Sequence, residues 1–329
     1  MKTEDGWIEE IFENEPGYTP LIPEIRAVNY NVAKPKLSTL FSYPERGPYG
    51  KNSYMGNCSG LLIRDLLTFF RPKKVSDYMQ GGGTCGDVCA ELGVPYIGRD
   101  LNMGFDLMGD EIGESCDFAF LHPPYWNMKK YYRKQWNNGK PHPADISETG
   151  DWGEFLKQMN VCLNKIYQSV RVGGRLAVLV GDIKRRGKLY SMQREMMIPG
   201  DLENIAIKLQ HNTSSEGKTY GSTNFMEIVH EYLVITLRKD PYKMAVLYSN
   251  YKVVDVREHA NIQTWRDIVQ AAMESLGGEA SLEKVYDEIQ GHKKCESNNN
   301  WQAKIRQTLQ RGRDFVNKDR GTWALSWEG

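Results

Sequence analysis

Several stretches of this chain are apolar without alternation and too short for helices. Asp117-Phe118-Ala119-Phe120-Leu121 is an unbroken apolar run behind one acid, and Arg175-Leu176-Ala177-Val178-Leu179-Val180 is another. A third runs from Ile228 through Leu237. Such runs read as strands buried on both faces, the pattern of a mainly parallel sheet. Between them the spacing becomes helical. Leu62, Leu66, Phe69 and Phe70 share one face of a helix over 60–70, and a second helical period runs from Trp152 through Val170. Strands and helices in alternation predict an α/β domain with helices on both faces of the sheet.

The pattern changes after Pro241, which marks a boundary. Thr264–Met273 is an amphipathic helix stopped at Gly277-Gly278. Ser281–Ile289 is a second, with Lys284 where a capping box would prefer Glu, and Trp301–Gln310 is a third. Asp314–Leu325 reads as a hairpin. Three helices and a hairpin resemble a winged helix-turn-helix, so residues 241–329 form a second, smaller domain. At the other end, residues 1–44 hold an acidic stretch, Glu4–Glu15, with Trp7, Ile8, Ile11 and Phe12 at helical spacing. A proline-broken extended arm follows it.

Composition bounds the partners. Lys plus Arg and Asp plus Glu both number 42, so no global basic field announces a nucleic acid and any such contact is local. The six cysteines form no Cys-x-x-Cys pair. That spacing argues against zinc and, with no signal peptide read in the sequence, predicts reduced thiols and a cytoplasmic location. No apolar run reaches membrane-spanning length.

Two motifs carry chemistry. Leu121-His122-Pro123-Pro124-Tyr125-Trp126 closes a buried strand with two prolines that fix φ and withhold two N–H donors, leaving carbonyls rigidly held. Tyr125 and Trp126 offer π faces on which a planar base could stack, and the combination suits the amino group of a nucleobase. Upstream, Asp77 is followed by Gly81-Gly82-Gly83-Thr84 and, one strand later, by Asp100. Strand, glycine turn, helix, strand and acid is how a Rossmann-like half holds an adenosine-containing cofactor. The turn lacks both the GxGxxG spacing and the Lys-Ser/Thr of a phosphate loop, so a pyrophosphate is not the obvious ligand.

These residues resemble the amino-group DNA methyltransferases, which use S-adenosyl-L-methionine. Their cofactor motif, Asp-x-x-x-Gly-x-Gly-Thr, is matched by Asp77 through Thr84, and their (Asp/Asn/Ser)-Pro-Pro-(Tyr/Phe/Trp) motif by His122 through Tyr125. The resemblance spans roughly residues 45–240 and implies a Rossmann-like class I methyltransferase sheet. It assigns the cofactor to Asp77, Gly81, Gly82, Gly83, Thr84 and Asp100, and the chemistry to His122, Pro123, Pro124 and Tyr125. Asn57 or Ser59 can cap the 60–70 helix, which in the family lies against the methionine end of the cofactor. An ordinary capped helix explains those two residues equally well. The motif order is similar to that of the family's gamma class, with an abbreviated crossover between Asp100 and Asp117.

One departure concerns chemistry. His122 stands where the family usually has Asp, Asn or Ser. An exocyclic amine is a poor nucleophile, and acceptors on its N–H bonds let the nitrogen pyramidalise toward the methyl. A neutral imidazole offers one acceptor, chosen by its tautomer, and a protonated one offers none.

Further cationic residues are candidates for DNA. Lys129 and Lys130 lie in a basic, aromatic stretch after the motif, and Arg185 and Arg186 in a polar span, 183–226, that reads as a target-recognition insertion. Lys304, Arg311 and Arg313 sit on or just beyond the third C-terminal helix, and Lys318 and Arg320 at the hairpin tip. Each also reads as an ordinary solvated charge. The resemblance implies N6 methylation of a flipped adenine in duplex DNA. N4-cytosine methylation, RNA amino methylation and a catalytically degenerate DNA-binding regulator stay open. So do a cognate restriction enzyme as partner and the oligomeric state.

Overall fold

The computed structural model describes residues 28, 30–131, 140–211, 226–246, 252–258 and 263–326. The acidic N-terminal stretch, Arg133, Lys134, Trp136 and Lys218 lie outside the described residues.

The apolar runs become a seven-stranded mixed sheet. Its strands are β1 (Leu40–Phe41), β2 (Val75–Asp77), β3 (Tyr96–Gly98), β4 (Cys116–Leu121), β5 (Val170–Val180), β8 (Asp201–Leu209) and β9 (His230–Leu237). They lie side by side in the order β1-β8-β9-β5-β4-β2-β3. Pairings are parallel from β3 through β5 and at β1 to β8, whereas β9 runs antiparallel to both its neighbours. Because side chains alternate along a strand, Phe118 and Phe120 enter one core while Ala119 and Leu121 enter the other. Helices α1 (Gly60–Phe70) and α2 (Thr84–Leu92) supply the first core, through Leu62, Leu66 and Val88. Helix α3 (Trp152–Ser169) supplies the second, through Phe155, Met159 and Leu163. This is the expected α/β architecture, with helices on both faces.

Strand order explains where a ligand can sit. From β2 the chain crosses to β3 on one side and returns to β4 on the other, so a crevice opens beyond the C-terminal ends of β2 and β4. Asp77 closes β2 and His122 follows β4 at that crevice. Between β3 and β4 only a single 3₁₀ turn, Leu101–Met103, intervenes, the abbreviated crossover that the spacing suggested.

Two boundaries differ from the sequence reading. Leu40–Phe41, in the supposed N-terminal arm, is the edge strand of the main sheet, paired with Ile207 and Lys208. Residues 201–209, inside the span assigned to target recognition, form β8 between β1 and β9. Its first five residues, Asp201 to Ile205, are exposed and mix Asp, Glu and Asn with Leu and Ile, which hid the strand. Among the described residues of the insertion, the other elements are a hairpin, β6 (Asp182–Arg185) with β7 (Lys188–Ser191), then a one-turn helix α4 (Met192–Glu195).

A hairpin of β10 (Lys243–Val246) and β11 (Lys252–Asp255) leads into the C-terminal module. This comprises α5 (Trp265–Ser275), β12 (Glu279–Ser281), α6 (Leu282–Ile289), α7 (Lys293–Glu296), α8 (Trp301–Arg311), β13 (Phe315–Asp319) and β14 (Thr322–Leu325). A one-turn helix and a third strand thus join the three helices and hairpin read from sequence. The three strands pair in the order β12-β14-β13 over a core of Val269, Met273, Val285, Ile305 and Leu309.

Buried polar groups fasten this module to the sheet domain. Asp314 Oδ1 accepts from the Ser115 hydroxyl at 3.0 Å while Asp314 Oδ2 accepts from Arg266 Nη2 at 2.6 Å. Arg238, at 1% exposure among the most enclosed side chains, donates to the Gln168 and Pro241 carbonyls at 3.1 Å. It also faces Glu274 Oε2 at 3.8 Å.

Candidate active site

The glycine turn after β2 is shaped for close approach. Gly81 and Gly83 have φ of 50° and 83°, values that favour glycine, and Gly83 starts α2. A Cβ on Gly82 would lie 2.4 Å from Asn57 Oδ1, so the arm before α1 packs directly on the turn. Lys51 N–H donates to the Gly82 carbonyl at 2.9 Å and Asn57 Nδ2 to the Lys51 carbonyl at 2.5 Å.

Beyond the turn lies a cleft of about 900 Å³. Asp77, Gly81, Thr84, Asp100 and Asn57 all line it; Gly82 and Gly83 complete the turn without lining it. Ser59 instead lines the neighbouring cleft described below, and its hydroxyl donates to the Arg46 carbonyl at 3.3 Å rather than capping α1. Asp100 accepts one backbone N–H on each oxygen, Gly81 at 2.8 Å and Asn102 at 3.0 Å, which leaves acceptor capacity on both.

Sequence reasoning missed two further carboxylates there, Asp106 and Asp145. Asp145, from the loop before α3, lines the same cleft, and its Oδ2 is buried without a protein partner. Thr84 Oγ1 is likewise buried and unpartnered. Tyr54 and Tyr131 stack beside them, ring centroids 6.0 Å apart. Burial pushes Asp77, Asp100 and Asp145 up; Asp77 reaches about 7, with the Met79 N–H opposing the rise and the Asp100 charge adding to it. A cleft lined by carboxyls and by no Lys or Arg side chain suits a ligand carrying positive charge and donors.

A larger cleft of about 2020 Å³ adjoins this one, and His122, Gly56, Asn57 and Tyr131 line both. His122 therefore stands at the junction. Its Nε2 lies 3.1 Å from the Tyr125 hydroxyl, which donates to Glu231 Oε1 at 2.6 Å. Lys208 Nζ donates to Glu231 Oε2 at 2.6 Å. Burial opposes ionisation of Glu231, but the His122 imidazole and the Lys208 ammonium outweigh it and hold the carboxyl well below the usual carboxylate range. Burial and the Glu231 charge push the Tyr125 phenol well up.

Antiparallel β9 is what assembles this group. Its start faces the end of β5, with Tyr232 opposite Val180, and Glu231 pairs in register with Lys208 of β8. Tyr125 packs on Gly181, where a Cβ would come within 2.7 Å of the ring. No linear signal joins Glu231 and Lys208 to the proline motif; only the polar opening of an otherwise apolar strand marks them.

Trp126 corrects the sequence reading. It has a φ of 45°, which turns its ring into the core at 6% exposure, against Trp152 and Tyr190. Its Nε1 donates to the Thr149 carbonyl at 2.7 Å, so it offers no face to a base. Pro123 lines the larger cleft and Pro124 the smaller.

The cationic candidates separate by place. Lys129 lines the larger cleft, whereas Lys130 is paired with Glu148 at 2.7 Å. Arg185 stacks over Trp126 at 5.2 Å and donates to Asn127 Oδ1 at 2.5 Å, and Arg186 is exposed at the tip of the β6–β7 hairpin. Lys318 and Arg320 are exposed on the C-terminal hairpin. Lys304, Arg311 and Arg313 line a groove that the module shares with the sheet domain, facing Glu111 and Glu114, and Arg313 Nη1 reaches Glu114 Oε1 at 3.3 Å. Among the described residues no helix is long and apolar enough to cross a membrane.

No family model and no curated protein matches the chain. Solved structures similar to it include TTHA0409 of Thermus thermophilus, provisionally named a DNA modification methylase. It is 16% identical, over 40% of this chain and 48% of that one, with a TM-score of 0.27. TTHA0409 has also been solved with S-adenosyl-L-methionine. TehB of Haemophilus influenzae is 13% identical over 54% of this chain and 61% of that one, at 0.34. A SAM-dependent methyltransferase of Archaeoglobus fulgidus is 10% identical over 55% and 95%, at 0.30. The chain thus spans about half the length of TTHA0409. At these values no residue correspondence follows.

Proposed function

We propose that this chain is an S-adenosyl-L-methionine-dependent methyltransferase acting on the N6 amine of a flipped adenine in duplex DNA. The observation that carries the reading is His122, positioned where an acid-lined cleft meets a larger one. The smaller cleft fits the cofactor. Asp77, Asp100 and Asp145 suit its positive charge and ribose hydroxyls, and the Asp145 Oδ2 and Thr84 Oγ1 atoms await partners. When bound, the cofactor supplies an electrophilic methyl on a sulfonium.

The protein's own groups then hold the target. His122 accepts one N–H of the amine and the Pro123 carbonyl the other, so that the nitrogen lone pair turns toward the methyl. Flipping the base costs a few kcal/mol, and stacking on Tyr125 offsets roughly 1–3 kcal/mol of it. Lys129 and Lys184 in the larger cleft, with Arg185 and Arg186 on the hairpin beside it, suit the phosphate backbone. We read the C-terminal module as a winged helix-turn-helix, and Lys318 and Arg320 on its exposed hairpin add to that footing. Lys304, Arg311 and Arg313 face the sheet-domain carboxylates Glu111 and Glu114 across their groove and are left out of that footing.

The same acceptors would serve the N4 amine of cytosine. The test is to incubate the protein with genomic DNA and methyl-labelled S-adenosyl-L-methionine, digest to nucleosides and identify the labelled base. Labelled N6-methyladenine is expected. Labelled N4-methylcytosine would replace adenine as the target, and tight DNA binding without any label would make the chain a non-catalytic regulator.

A further inference from the structure

We propose that Glu231, acting through Tyr125, fixes His122 as its Nε2–H tautomer and so makes Nδ1 the acceptor presented to the target amine. The inference deepens the proposed function and rests on it for the identity of the target. Its own content is a proton position.

Glu231 has both oxygens engaged, Oε2 by the Lys208 ammonium at 2.6 Å and Oε1 by the Tyr125 hydroxyl at 2.6 Å. An ionised carboxylate only accepts, so the single phenolic proton of Tyr125 lies on the Glu231 side. The same Tyr125 oxygen meets His122 Nε2 at 3.1 Å with nothing but a lone pair left to offer. That contact is a hydrogen bond only when Nε2 carries hydrogen. In a neutral imidazole one nitrogen donates and the other accepts, which leaves Nδ1 bare.

The chemistry gives the arrangement a purpose. A carboxylate accepts through either oxygen in any rotamer, whereas an imidazole accepts through one nitrogen alone. With histidine at the junction of two clefts, something must choose that nitrogen. The pairing of β8, β9 and β5 brings Lys208, Glu231 and Tyr125 together behind it. Glu231 and Lys208 are positioning residues; neither needs to touch the substrate.

The test is long-range ¹H–¹⁵N correlation on the full chain labelled at histidine, at a pH about two units above the ordinary histidine value of ~6.5. A His122→Asn sample assigns the resonance. The wild-type spectrum is expected to show a protonated Nε2 and an unprotonated Nδ1. In Tyr125→Phe and Glu231→Gln the Nδ1–H form should become detectable. kcat should fall on the order of 10-fold to 100-fold, as for other groups that orient a reacting residue from behind, while the cofactor KM stays within about two-fold. A wild-type Nδ1–H form overturns the proposal whatever the variants do. So does a pair of folded variants in which neither the tautomer nor kcat moves. An Nε2–H wild type with no methyl transfer to any DNA base would instead sink the proposed function and leave the proton assignment standing.

Discussion

The Tyr125 hydroxyl and Glu231 Oε1 lie 2.6 Å apart although 106 positions separate them in the chain. Through this contact the residue that closes the double-proline turn is held by a carboxylate from the start of the last long strand of the sheet. Everything proposed for His122 depends on it.

If His122 works as a hydrogen-bond acceptor, its replacement by an amide should be far milder than replacement by a hydrocarbon. His122→Asn is expected to retain methyl transfer within about tenfold of wild type. His122→Leu should lose on the order of 10²–10⁴-fold in kcat, the usual worth of a positioned proton acceptor. Equal losses in the two variants, measured as labelled methyl transferred to DNA, would rule out simple hydrogen-bond acceptance as the role of His122.

Asp145 is a binding prediction. Asp145 lines the cleft and has a buried, unpartnered oxygen, so Asp145→Asn should weaken S-adenosyl-L-methionine binding by about tenfold, or ~1.4 kcal/mol, by calorimetry. Unaltered affinity would place the ligand elsewhere in the fold.

Stability should depend on pH through Asp77. Burial raises its carboxyl to about 7 in the folded chain, against ~3.9 when unfolded. The folded state therefore keeps a proton that the unfolded chain has released. Its contribution is fully present below about pH 4 and is lost as pH rises through about 7. Denaturant titrations of the ligand-free protein at pH 5 and pH 8 should show this decline. In Asp77→Asn the decline should shrink, leaving the balance of Asp100 and Asp145, raised in the same direction, and of His292, which burial lowers to about 4 and which opposes them. An undiminished slope in the variant would contradict the assignment.

The C-terminal module should not be removable without damage. Asp314→Ala strands Arg266 and Ser115 at a buried seam and is expected to cost ~3–5 kcal/mol in urea unfolding. Deletion after Pro241 also strips Arg238 of Glu274, so the sheet domain itself should lose cooperativity and cofactor binding. A truncated chain with unchanged unfolding would mean that the buried ties contribute nothing.

Cations that share a motif should differ in DNA binding. Lys129→Ala, in the larger cleft, should lower the slope of log affinity against log salt by about one, while Lys130→Ala, already paired with Glu148, should lower it little. Identical slopes would indicate that the cleft is not the DNA footing.

Much of the fold was legible because its signals are local. The apolar runs at 117–121 and 175–180 mark buried strands wherever the chain takes them, and glycine at 81–83 or proline at 123–124 constrains its own backbone. Short-range periodicity failed for β8, whose exposed, mixed start reads as a loop until β1 and β9 flank it. It failed for Trp126 too, because one positive φ reverses where a side chain points.

The sequence by itself therefore determined the α/β class, the glycine turn with Asp77 and Asp100, and the turn from His122 to Tyr125. Each of these depends on neighbours a few residues away. Tertiary structure alone decided that Glu231 and Lys208 stand behind His122, that Asp145 enters the cleft, and that buried charges clamp the last domain to the sheet. Those contacts join residues whose separation leaves no periodic trace, and only strand order and register bring them within hydrogen-bonding distance.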